Sequence, residues 1–160
     1  MKILFAILLS AVLVLPVFAQ EKIVFEEYGF SIEKLTASEK EIPDVFQTLI
    51  MFLPAESNFA PNVNVQIQKY QGTIADYVKL SLEQFKTYNM KIVKQEQNDK
   101  EQTAIFEYTM QTGGLYLHFY SKALSSKGKV YLVTGTTTVA QWIKVGGAIK
   151  KNVDSFQVLN

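Results

Sequence analysis

The chain has 160 residues, 19% of them charged, and its basic side chains are all lysine, with one histidine and no cysteine. Without cysteine there is no disulfide scaffold, no thiol chemistry and no acylated lipoprotein cysteine. Without arginine the chain lacks the residue best suited to bidentate recognition of phosphate, carboxylate or guanine.

At the start, Met1-Lys2 leads into an apolar run from Ile3 to Leu15, broken by Pro16, and Val17-Phe18-Ala19 supplies small residues at the −3 and −1 positions. This layout predicts a secretory signal cleaved between Ala19 and Gln20. The run falls short of the about 20 apolar residues a membrane span needs. Taking nineteen residues from 160 leaves 141, the size of a single domain able to bury its own core. The expected product is an extracytoplasmic chain, periplasmic or secreted, with one domain over 20–160 and no transmembrane anchor after processing.

Charge is unevenly spread. From Glu21 to Glu56 eight acids face three lysines, and from Ser57 to Glu107 six face six. From Tyr108 to Asn160 six lysines face Asp154 alone. Such asymmetry steers partners within a Debye length of about 8 Å.

In chain order, Ile23-Val24-Phe25 and Phe30-Ser31-Ile32 read as short strands around a Tyr28-Gly29 turn. The polar stretch 34–44 reads as a loop, and the β-formers from Val45 to Leu53 as a strand stopped by Pro54. After the loop 55–62, Val63, Val65 and Ile67 alternate with amides along a further strand. Thr73-Ile74-Ala75-Asp76 carries a variant capping box. Ile74, Tyr77, Val78, Ser81, Leu82 and Phe85 then share one face of a helix over about 73–88.

A meander follows: a strand over Met90–Glu96, a turn at Asn98-Asp99-Lys100, and an alternating strand through Ala104, Phe106, Tyr108 and Met110. Gly113-Gly114 suits a hairpin turn that needs positive φ. Leu115, Leu117 and Phe119 alternate after it, with Tyr116, His118 and Tyr120 on the other face. Lys127-Gly128 turns the chain into Val130–Thr137. Thr138 with Gln141 caps a second helix that buries Trp142, Val145, Ile149 and Val153. Gly146 and Gly147 inside it cost about 1 kcal/mol each, and close approach to the sheet is the expected compensation. A short extended segment, Phe156-Gln157-Val158, ends the pattern. Hairpin-linked strands with two amphipathic helices give an α+β fold, a mostly antiparallel sheet with helices packed on it.

The pattern offers no catalytic or metal-binding constellation. His118, alone of its kind and flanked by tyrosines on the less apolar strand face, is expected at the surface or half-buried, outside any triad or zinc site. Carboxylate neighbours such as Glu26-Glu27 point to opposite faces of a strand, and Lys127-Gly128-Lys129-Val130 lacks the flanking residues of a phosphate loop. The aromatics of the meander, Tyr108, Tyr116, Phe119, Tyr120 and Tyr131, are expected to pair across strands and not to stack on nucleic acid.

A Pro61-Asn62-Val63-Asn64-Val65 strand entry, a Thr73-Ile74-Ala75-Asp76-Tyr77 helix start, the meander and a closing Ile149 to Ser155-Phe156 segment resemble the PsbP/DcrB-like group over about 23–158. Relatives usually carry a Pro and a Trp shortly after the strand matching Phe30-Ser31-Ile32, where this chain has Glu33-Lys34-Leu35. The resemblance implies an α-β-α sandwich and exported or lumenal accessory or binding modules. It supplies no catalytic residues.

The expectation is therefore a non-enzymatic envelope protein, without cofactor or metal, that binds a protein partner. Its expected surfaces are the loop residues Asn58, Phe59, Pro61, Asn62 and Asn64 and the lysines Lys122, Lys127, Lys129, Lys144, Lys150 and Lys151. Two alternatives stand beside it: a carrier holding a small apolar ligand between sheet and helix, and a hydrolase using carboxylates that folding brings together.

Overall fold

The computed structural model describes residues 22–33, 48–56 and 58–159. The signal segment, the 34–44 loop and the first residues of the strand expected from Val45 lie outside them. β1 (Lys22–Phe25) and β2 (Phe30–Glu33) pair antiparallel across one 3-10 turn, Glu26–Tyr28. β9 (Gln157–Val158), at the far end of the chain, adds to β2 and completes a three-stranded sheet.

The remaining strands are β3 (Thr48–Phe52), β4 (Asn62–Lys69), β5 (Lys91–Asn98), β6 (Thr103–Thr112), β7 (Leu115–Ser126) and β8 (Lys129–Thr138). They form one antiparallel sheet in the order β3-β4-β8-β7-β6-β5. Gly113 and Gly114, at φ +56° and +76°, make the β6–β7 hairpin turn that the sequence predicts. Cross-strand aromatic pairing is also present: Tyr108 and Phe119 are register partners and stack at 4.8 Å.

α1 (Ile74–Thr87) and α2 (Val139–Asp154) both begin with a full capping box. Thr73 Oγ1 accepts from the Asp76 amide at 3.2 Å while Asp76 returns the bond to the Thr73 amide at 3.1 Å. Thr138 and Gln141 do the same at 3.2 and 3.0 Å. Each box is worth about 1 kcal/mol, because it satisfies amides that a helix start leaves without partners.

The helices cover opposite faces of the six-stranded sheet. α1 buries Ile74, Tyr77 and Val78 against Ala104, Phe106, Ala123 and Val130. α2 buries Ile149 and Val153 against Val63, Val65, Tyr120 and Val133, with Phe30, Ile32 and Phe156 of the small sheet's side closing the cluster. Both faces of β6, β7 and β8 are thus packed, and the result is an α-β-α sandwich.

Two details differ from the sequence reading. The close helix–sheet approach is made by a glycine of the sheet: a Cβ on Gly135 of β8 would stand 2.1 Å from Ile149 Cγ2. Gly146 of α2 instead leaves room for the Trp142 ring one turn back, and Gly147 faces open space. His118 is buried at 7% exposure rather than lying at the surface. The strand face that carries it looks less apolar in sequence but lies under α2.

Candidate functional site

The buried titratable groups gather under α2. Period-two alternation on β6 and β7 puts Glu107 and His118 on the same sheet face. His118 Nε2 and Glu107 Oε1 lie 2.9 Å apart, and Lys150 Nζ donates to Glu107 Oε2 at 2.9 Å from α2. Trp142 closes the cluster by stacking on the His118 ring at 3.8 Å between centroids. The Lys150 ammonium also lies over the Tyr120 and Trp142 rings, 5.2 and 5.4 Å from their centroids.

Burial pushes the Glu107 carboxyl up, but the bonds from Lys150 and His118 outweigh it and hold the group below its ordinary range. Burial lowers His118, which Glu107 only partly offsets, so the imidazole is neutral near pH 7. Tyr120 donates to Asp154 at 2.9 Å, and burial, that bond and the Asp154 charge raise its phenol. Every member of this cluster has a partner within the fold. No three His, Asp or Glu side chains among the described residues come together to hold a metal.

Several of the sequence-predicted binding residues are engaged within the fold. Lys122 donates to the Asp154 and Phe156 carbonyls at 3.0 and 3.1 Å, tying down the C-terminus of α2, where a cation also suits the helix dipole. Lys150 is held by Glu107, and Lys144, although exposed, pairs with Glu56. Lys127 and Lys129 stand exposed at the β7–β8 turn, and Lys151 lies on the solvent side of α2.

The loop is also used internally. Gln141 Nε2 donates to the carbonyls of Glu56 and Phe59 at 3.1 and 3.0 Å, and Leu53 bonds the carbonyl of buried Pro61 at 2.8 Å. Asn62 folds back on Ala60. Asn58 is exposed, and Asn64 faces the α1 side of the sheet on β4.

Two features carry spare capacity; the sequence alternative of a ligand between sheet and helix anticipates the place of the second, and the sequence reading singled out neither as a site. The first lies where α1 ends and β5 begins. Tyr88, Ile92, Val93 and Tyr116 are 64%, 48%, 58% and 47% exposed. Tyr88 and Tyr116 border one groove of about 560 Å³, together with Lys91, Thr109, Met110 and Gln111. Tyr116 is steadied by a 3.2 Å bond between its hydroxyl and Thr109.

β5 itself is the outer strand of the sheet and exposed along its whole length. A register break at Val93 and the charges of Lys91, Lys94 and Glu96 guard it against pairing with another strand. Contact here would run through the apolar side chains and not through the strand edge. The second feature is a groove of about 300 Å³ between α1 and the sheet, lined by aromatic rings, amides and hydroxyls.

No protein-family model and no curated protein matches this chain. Solved structures do. A Pseudomonas aeruginosa protein of unknown function, PA94, is 23% identical over 82% of this chain and 91% of its own, with a TM-score of 0.58. Cyanobacterial PsbP (CyanoP) of Synechocystis sp. PCC 6803 is 14% identical over 94% and 98%, at 0.61. LpqN of Mycobacterium tuberculosis, involved in cell envelope biogenesis, is 8% identical over 89% and 86%, at 0.59. The element order implied by the Pro61–Val65 and Thr73–Tyr77 segments is therefore the observed one, and the chain has the PsbP-like α+β fold.

Proposed function

We propose that this chain is an exported, non-enzymatic accessory protein that works by holding a protein partner of the cell envelope. The observation that carries the reading is the pair of exposed tyrosines, Tyr88 and Tyr116, that border one groove beside a guarded strand edge. Large side chains this exposed around one groove mark interaction sites on proteins. Tyrosines are the residues most used to anchor them.

The buried ionisable cluster supports the same reading from the other side. Glu107, His118 and Lys150 bond one another behind Trp142, which suits a role in holding the fold. The likeness to an envelope-biogenesis protein fits an extracytoplasmic setting, and fold alone does not carry function across. Lys127 and Lys129 are the members of the basic set with the most freedom to add charge to an encounter.

Gentle purification from the extracytoplasmic fraction of its own host, followed by native mass spectrometry, tests the proposal. A chain cut after Ala19 carrying a protein-sized excess mass is the expected result. A bare processed chain that also shows hydrolytic activity in a broad substrate screen would overturn it.

A further inference from the structure

Beyond partner binding, the groove between α1 and the sheet has a chemistry of its own. None of its thirteen lining residues is charged. Its walls come from two periodicities meeting. The amides of β4 point to the α1 side because Val63, Val65 and Ile67 take the other face, and α1 rests on β5 and β6, leaving those amides beside it.

Gln66, Gln68 and Gln84 bring planar amides to the groove, while the hydroxyls of Tyr77, Ser81 and Ser121 are bonded to Gln68, the Tyr77 carbonyl and Thr134. Tyr77 donates to Gln68 Oε1 at 3.2 Å, which fixes that amide and leaves its Nε2 to donate elsewhere. Among the described residues the side chains of Gln66 and Gln84 have no hydrogen-bond partner. The floor is aromatic: Phe85 lies 4.4 Å from Tyr108 and meets Phe106 edge-on at 5.4 Å. Burial raises the phenols of Tyr77 and Tyr108, so both stay neutral well above physiological pH.

We infer that this groove binds a short neutral carbohydrate, a mono- or disaccharide stretch of an uncharged glycan. An anionic ligand would find no cation in the walls. A purely apolar ligand would strip water from the Gln66 and Gln84 amides, at about 1–3 kcal/mol for each group left unpaired. A sugar ring answers both walls, setting its C–H face on the aromatic floor and its hydroxyls against amides that donate and accept. The volume is at the lower end for small-molecule sites and suits one or two rings rather than a lipid chain.

The groove shares Tyr88 with the partner face, while Ile92, Val93 and Tyr116 do not line it. The test is a two-dimensional amide NMR titration of the processed chain with N-acetylglucosamine trimer and with maltotriose, and an uncharged Gly-Ser peptide as comparison. Expected are saturable shifts at the side-chain amides of Gln66, Gln68 and Gln84 with at least one trisaccharide. Gln68→Leu, with a dispersed spectrum showing it folded, should weaken that binding about tenfold, while Tyr116→Ser leaves it unchanged.

No shifts at millimolar trisaccharide, or equal binding by Gln68→Leu, overturns the assignment. Groove shifts with the peptide and not with the sugars overturn it in favour of a peptide site.

Discussion

The two faces of the six-stranded sheet are built from the same strands and used in opposite ways. Under α2 the sheet meets a dense apolar cluster and a set of ionisable groups that satisfy one another, down to a glycine at position 135 that admits Ile149. Under α1 the helix covers only part of the face, and amides and aromatic rings remain beside it around a groove. The first face uses its chemistry to hold the fold together. The second has chemistry left over, and surplus of that kind is where function is to be sought.

The contrast is sharpest at Ile149. It is fully buried against Gly135, and Ile149→Ala should cost about 2–5 kcal/mol, read as a lowered urea midpoint. A cost below about 1 kcal/mol would show that the α2 face is not tightly packed. Glu107→Gln comes next. It leaves Lys150 without its counter-charge and weakens the bond to His118, at about 1–3 kcal/mol, the half-exposed Lys150 recovering part of its share from water.

Acid should act on the same face. The native imidazole of His118 is held below 6.5 by burial, so the unfolded chain takes up a proton that the fold refuses. Stability is then full above pH 6.5 and falls as pH drops toward the folded value. Glu107, held below 4.5, adds a second loss as pH falls under that value. In pH-dependent unfolding, His118→Phe should remove the first decline and spare the second; an unchanged profile would count against the buried pair. The smallest effects belong to the α1 side. Gln66→Ala and Leu80→Ala, both exposed, should stay within about 0.5 kcal/mol of the parent. Larger losses would make the groove part of the core.

Local chemistry is legible in the sequence. The capping boxes at Thr73 and Thr138, the Gly113-Gly114 turn and the alternation on β4 each rest on neighbours a few residues apart. Burial on β7 was not readable in the same way. When a strand is covered on both sides, alternation no longer separates inside from outside, so Tyr116 is exposed while His118 and Tyr120 on the same face are buried.

Long-range pairing was hidden for a related reason. Lys150 and Glu107 stand 43 residues apart, and Lys122 reaches the end of α2 across 32. Nothing local marks either lysine as engaged within the fold. Tyr88 presents the opposite problem, since at three residues past Phe85 its spacing continues the buried face of the helix, yet it is exposed.

Site-specific photocrosslinking in the native host tests the central claim most directly. A photoreactive residue placed at 88 or 116 should give a discrete protein adduct, and one placed at 127, 129 or 151 should give little or none. Adducts confined to the lysine positions would contradict the account and move the binding surface to the basic residues read from the sequence.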